Sequence, residues 1–236
     1  MSVFSTQLRL RNRDVNLHRV LRTSTLFALM QEASIRHTEE LGMGRAMTLD
    51  RGLLWMVTHQ QAEIERMPEY DECITLESWP GKTMHLLFPR YYRALDEGGH
   101  VLLRASSFWA LVDAGTRRMV FPDRHGIIIE GVETGEEIAL PSTVRRAEAG
   151  ETHPFTVPFS YVDLNGHMNN TRYFDLAEDL LPAAAEGRSL RRIAVEYANE
   201  ARLGDSLTVT TEADGGSFFI SGDTEKKIFR MRMEYR

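Results

Sequence analysis

The stretch Asp163-Leu164-Asn165-Gly166-His167-Met168-Asn169-Asn170-Thr171-Arg172-Tyr173 stands between two segments of different periodicity. Before it, 155–161 reads as a strand; after it, Tyr173, Ala177, Leu180 and Leu181 recur at helical spacing up to Pro182. Alternation then resumes at Ile193, Val195 and Tyr197, at Leu207 and Val209, and at Phe229, Met231, Met233 and Tyr235. The second half therefore runs strand, polar turn, helix and a series of strands.

The first half repeats that order. A strand over 3–11 precedes a helix over 25–41, in which Leu26, Leu29, Met30, Ala33 and His37 share a face. Thr23, Ser24 and Thr25 are candidate caps, and Gly42 is a stop. Strand-like segments follow at 53–64, 72–79, 86–94 and 101–112, divided by turn signals such as Pro80-Gly81 and Glu97-Gly98-Gly99. Between the halves, 131–153 is acidic and broken by glycine and proline. This plan predicts an α+β chain of two tandem hotdog domains, each a long helix wrapped by an antiparallel sheet, with two unrelated α+β domains as the alternative. The expected boundaries are 1–130, a linker at 131–153, and 154–236. The second unit, roughly eighty residues, has a small core by itself, which favours packing sheet edge to sheet edge as an internal pseudo-dimer.

The bulk properties narrow the function. With 42% hydrophobic and 26% charged residues the chain has an ordinary globular composition. Its longest apolar runs fall far short of the roughly 18 residues a membrane span requires. The start lacks a basic segment followed by an apolar core, so no signal peptide is expected and the expected compartment is the cytoplasm. A net charge of −6 gives no overall basic field for nucleic acid. The one cysteine, Cys73, excludes an internal disulfide and a thiolate metal cluster, and its place in an alternating segment predicts a small buried filler.

Within five residues the quoted stretch offers a carboxylate, a carboxamide and an imidazole at Asp163, Asn165 and His167. A helix start just beyond them, with Asn169, Asn170 and Thr171 in its first turn, would present unpaired N–H groups to an oxyanion. The same residues also suit a plain Asx-turn and helix cap, and spacing alone leaves both readings open. In the first half, Asp14-Val15-Asn16-Leu17-His18 shows the same spacing, but Arg19-Val20-Leu21 replaces the continuation, which predicts a duplication relic or coincidence rather than a second active site.

The quoted stretch resembles, nearly residue for residue, the active-site segment of plant and bacterial acyl-acyl carrier protein thioesterases. Glu196-Tyr197-Ala198-Asn199-Glu200-Ala201, followed by Asp205-Ser206, is similar to a later segment of that family. Arg104-Ala105-Ser106-Ser107-Phe108-Trp109 and Thr116-Arg117-Arg118 resemble segments of its first half. The resemblance implies tandem hotdogs, an active site built mainly by the second half, and catalytic positions at Asp163, Asn165, His167 and Glu200. It implies substrate contacts at Asn169 and Asn170 and an acyl pocket in the first half, with Met30, Trp55, Met56 and Trp79 as lining candidates. The implied partner is acyl carrier protein bearing an acyl chain on 4'-phosphopantetheine. No cofactor or metal is required, and a homodimer is left open.

Many plant members carry cysteine where this chain has Ala201, which disfavours a covalent thiol mechanism here. Water attacking the thioester remains, with Glu200 as the first choice of general base and Asp163 as the second. An acyl-coenzyme A thioesterase of the same fold and a non-catalytic acyl-binding protein are the alternatives. A hotdog hydratase is disfavoured because Gly166 follows Asn165 and His167 stands two residues after it.

Overall fold

A computed structural model describes residues 2–236. The first half comprises β1 (Phe4–Arg9), α1 (Thr23–Glu40), β2 (Leu53–Ile64), β3 (Cys73–Pro80), β4 (Leu87–Leu95) and β5 (Val101–Asp113). The second comprises β6 (Glu151–Thr156), α2 (Arg172–Leu180), α3 (Pro182–Ala185), β7 (Leu190–Tyr197), β8 (Ser206–Asp214), β9 (Ser217–Asp223) and β10 (Lys227–Tyr235). All ten strands form one antiparallel sheet in the order β1-β3-β4-β5-β2-β7-β10-β9-β8-β6. Read outward from the centre, each half uses the same connectivity, so the tandem hotdog plan is present with its pseudo-twofold at the β2–β7 seam. At that seam Gln61 faces Ala194 and His59 faces Glu196.

The helices cover the inner face. Phe27 of α1 and Phe174 of α2 are fully buried and stack at 4.1 Å, joining the two helices over the seam. Tyr173 meets Phe229 of β10 at 4.9 Å, so the alternation of β10 directs its apolar set onto α2. The core is continuous across both halves, running from Leu26 and Met30 to Val195 and Met231.

Several local expectations give way to tertiary constraints. The segment read as strand 155–161 divides: β6 starts at Glu151 and a 3-10 turn occupies Phe159–Tyr161. Pro154 is accommodated because β6 is an edge strand, bonded to β8 alone, where a missing N–H costs nothing. β6 thus straddles the expected 153/154 boundary. The rest of 131–153 crosses the outer face of the sheet. Glu136 binds Arg93 and Arg104, Ser142 binds Gln61, and Ala147 N donates to Ser221 Oγ. β9 has no counterpart in the periodicity because Gly222 and flanking serines dilute its pattern. Cys73 is half-buried where β3 meets Arg9 of the edge strand β1, not a core filler.

Candidate active site

The signature folds as a tight loop held by its own polar groups. Asp163 N donates to His167 O at 2.9 Å and Gly166 N to Asp163 O at 3.0 Å, with Gly166 left-handed at φ +80. Asp163 Oδ1 accepts from Asn165 N at 2.8 Å, the Asx-turn that spacing had left open. Asn169 Oδ1 accepts from both the N–H and the hydroxyl of Thr171. The helix begins only at Arg172, so Asn169, Asn170 and Thr171 precede it rather than form its first turn. Met168 N donates to Ala201 O at 2.7 Å, which draws the β7–β8 connection and Glu200 against the loop.

That junction sets His167 Nε2 2.9 Å from Glu200 Oε2. Arg117, from the turn after β5, lies 3.4 Å from Glu200 Oε1. Tyr197 Oη is 3.1 Å from both Gln60 Oε1 and Asn170 O. Burial pushes the Tyr173 and Tyr197 phenols well above their ordinary range, so both stay neutral. These groups border a cavity of about 320 Å³ that also takes Asp163, Asn165 and Asn170 from the second half and Gln31, Trp55, Met56 and Trp109 from the first. The site is therefore assembled by both halves. Among the described residues the N–H groups of His167 and Asn170 have no acceptor, which leaves donors free at the loop. Asp163 is committed through Oδ1 to its own turn, while Glu200 contacts the imidazole directly.

A second, mostly apolar cavity of about 220 Å³ adjoins the first and is lined by first-half residues, among them Leu53, Phe88, Trp109 and Ile129, apart from Asn165. Asn165 and Trp55 border both cavities. Of the expected pocket residues, Trp55 and Met56 lie at these walls. Met30 is fully buried in the main core, and Trp79 packs toward Tyr91 at 6.2 Å, away from both. Asn169 serves the turn. Arg90, 5% exposed on the apolar cavity wall and bonded to Ser78 and His37, was not anticipated; a charge directly before the aromatic pair Tyr91-Tyr92 in β4 was the available signal. Among the described residues no group of three or more His, Cys, Asp or Glu side chains is arranged to hold a metal.

The pseudo-twofold exposes the resemblance between Asp14-Val15-Asn16-Leu17-His18 and the signature as a coincidence of spacing, displaced by two residues. The bridge Val15–Leu21 corresponds to Val162–Met168, and Val20–Glu69 to His167–Arg202. Leu21 N to Pro68 O corresponds to Met168 N to Ala201 O. Asn16 thus occupies the place of Asp163, His18 that of Asn165, Val20 that of His167 and Met67 that of Glu200. The related cavity, about 570 Å³, keeps volume but has neither imidazole nor carboxylate at those two positions.

Residues 1–123 match the family model for the acyl-ACP thioesterase N-terminal domain, and residues 144–235 match that for the C-terminal domain. Acyl-[acyl-carrier-protein] hydrolase FATB3, chloroplastic, from Cuphea viscosissima is 26% identical over 226 residues, covering 89% of this chain and 55% of that protein. Palmitoyl-acyl carrier protein thioesterase, chloroplastic, from Arabidopsis thaliana is 24% identical over 242 residues, covering 94% and 59%. The chain thus spans little more than half the length of these relatives. The crystal structure of an acyl-ACP thioesterase from Bacteroides thetaiotaomicron shares the fold at TM-score 0.87 and 20% identity, covering 99% of this chain and 98% of that one. The 12:0-ACP thioesterase from Umbellularia californica does so at 0.81 and 22%, covering 99% and 97%.

Proposed function

This chain belongs to the acyl-ACP thioesterase family, and from that premise we propose that it hydrolyses fatty acyl-acyl carrier protein to free fatty acid and carrier thiol. The observation that carries the reading is the His167–Glu200 contact of 2.9 Å where a polar cavity meets an apolar one at Asn165. In this reading the acyl chain enters the apolar cavity and the thioester carbonyl sits at the junction. Glu200, 21% exposed and so within reach of water, removes a proton as water attacks the carbonyl carbon. The N–H of Asn170 and the carboxamide of Asn165 stabilise the oxyanion. Collapse of the tetrahedral intermediate breaks the carbon–sulfur bond, and His167, in contact with Glu200, relays to the departing thiolate the proton that Glu200 took from water. Asp163 holds the loop.

The curated relatives are named for acyl carrier protein, and that carrier is our reading over coenzyme A. Cytoplasm is our reading of the compartment, given one free cysteine; among the described residues no helix is long and apolar enough to cross a membrane. Thiol release should be measured across an acyl chain-length series on both carriers. Hydrolysis with preference for the protein carrier is expected; tight acyl binding without release would sink the enzymatic reading. Glu200→Gln should lower kcat by about 10²- to 10⁴-fold with folding intact. Unchanged turnover would return the base role to Asp163.

A further inference from the structure

Arg117 stands in a backbone conformation that its side chain does not favour. Its φ is +57, in the left-handed region where glycine, asparagine and aspartate are the usual occupants. The turn is fixed independently of it. Asp113 Oδ1 accepts from Thr116 N at 2.7 Å and from its hydroxyl at 2.8 Å, Arg117 N donates to Asp113 O, and Asp113 N donates to Arg118 O. Nothing in that hydrogen-bond pattern uses the arginine side chain. Its ion pair with Glu200 is partly solvated, at 35% and 21% side-chain exposure, and such pairs add little to stability. A strained residue kept where glycine would serve the turn better, with a side chain that adds little to the fold, points to a role in function.

The other three non-glycine residues with positive φ, Arg19, Asp71 and His85, lie away from the catalytic cavity, whereas Arg117 borders it. The left-handed turn aims the guanidinium across the boundary between the halves. It meets Glu200 Oε1 while His167 holds Oε2, so the carboxylate is gripped from two sides by groups from different domains.

We infer that Arg117 is a positioning residue for the reaction: supplied by the first half, it fixes the orientation of Glu200 in the active site of the second. The inference rests on the reading of Glu200 as general base. The groups facing Glu200 are His167 from the signature loop, Arg117 from the turn after β5, Asp163 across the cavity, and Tyr173 and Tyr197 from α2 and β7. Both tyrosines stay neutral, so Arg117 is the permanent cation at the carboxylate. Its loss should leave the carboxylate held from one side only, by His167.

Arg117→Gly is the informative variant because glycine fits the turn. Expected are an unchanged or slightly raised Tm, a kcat at least about tenfold lower and little change in KM, the split that loss of positioning gives. Arg117→Lys should recover most of the rate; Arg117→Asn, also tolerant of positive φ, should behave as glycine does. Wild-type kcat in Arg117→Gly would overturn the inference, as would a rise in KM alone, which marks a substrate contact. Glu200→Gln is assayed in parallel. If it loses turnover while Arg117→Gly does not, only the role of Arg117 fails. If Glu200→Gln keeps full turnover, the base reading falls and this inference with it.

Discussion

Glu200, in the connection between β7 and β8, divides its oxygens between an imidazole from its own half and a guanidinium from the other. Its neighbour Ala201 is fully buried and lends the loop only its carbonyl. The single thiol is elsewhere, half-buried at the β1–β3 edge. Alkylating Cys73 should therefore leave thioester turnover unchanged, which iodoacetamide treatment followed by a thiol-release assay would check; inactivation would restore a thiol mechanism. A second residue sets a limit on acid stability. His37 Nδ1 lies 2.6 Å from the Arg90 guanidinium, and burial, reinforced by that charge, holds its pKa down at about 4. The unfolded chain protonates it near the model-peptide value of about 6.5. Its contribution to stability is thus intact above that pH and is lost as pH falls toward 4, with a slope approaching about 1.4 kcal/mol per pH unit. Urea titrations of the wild type and His37→Asn at pH 7 and pH 5 should differ in pH dependence. Equal slopes would discard this account.

At the level of elements, the two helices are unequal: α1 runs for 18 residues and α2 for 9. The length difference is functional in consequence, because the C-terminal half of α1 supplies Ser34, Ile35 and Thr38 to the apolar cavity and the short α2 has no matching segment. The Phe27–Phe174 stack is the main aromatic contact between them. Phe174→Ala should cost about 3–5 kcal/mol in urea denaturation, since both rings are fully buried and a cavity would remain. Much of this level was legible beforehand. The apolar period of α1 and the strand-like run at 53–64 gave their type and nearly their bounds, β2 to the residue. β9 and the start of β6 were not, because serine, glycine and an edge proline carry little hydrophobic signal where cross-strand bonding does the work.

As a whole molecule, the continuous sheet makes the halves one cooperative unit. All three tryptophans, Trp55, Trp79 and Trp109, belong to the first half, whereas Phe174 belongs to the second. Tryptophan fluorescence and far-ultraviolet circular dichroism should give coincident urea transitions, and Phe174→Ala should shift the fluorescence midpoint although no tryptophan is in its half. Separate midpoints would mean that the seam at β2–β7 is weak. The order of periodic segments along the chain determined the two hotdog plans, because each strand or helix announces its own buried face locally. The signature likewise determined its own turn, since Asp163, Gly166 and Asn169 satisfy bonds only a few residues away. Tertiary structure alone decided that Glu200 meets His167, that Arg117 crosses from the other half to meet it, and that the signature-like spacing at Asp14 is two residues out of register. Those relations depend on hydrogen bonds and ion pairs between segments distant in the chain, which no local period encodes.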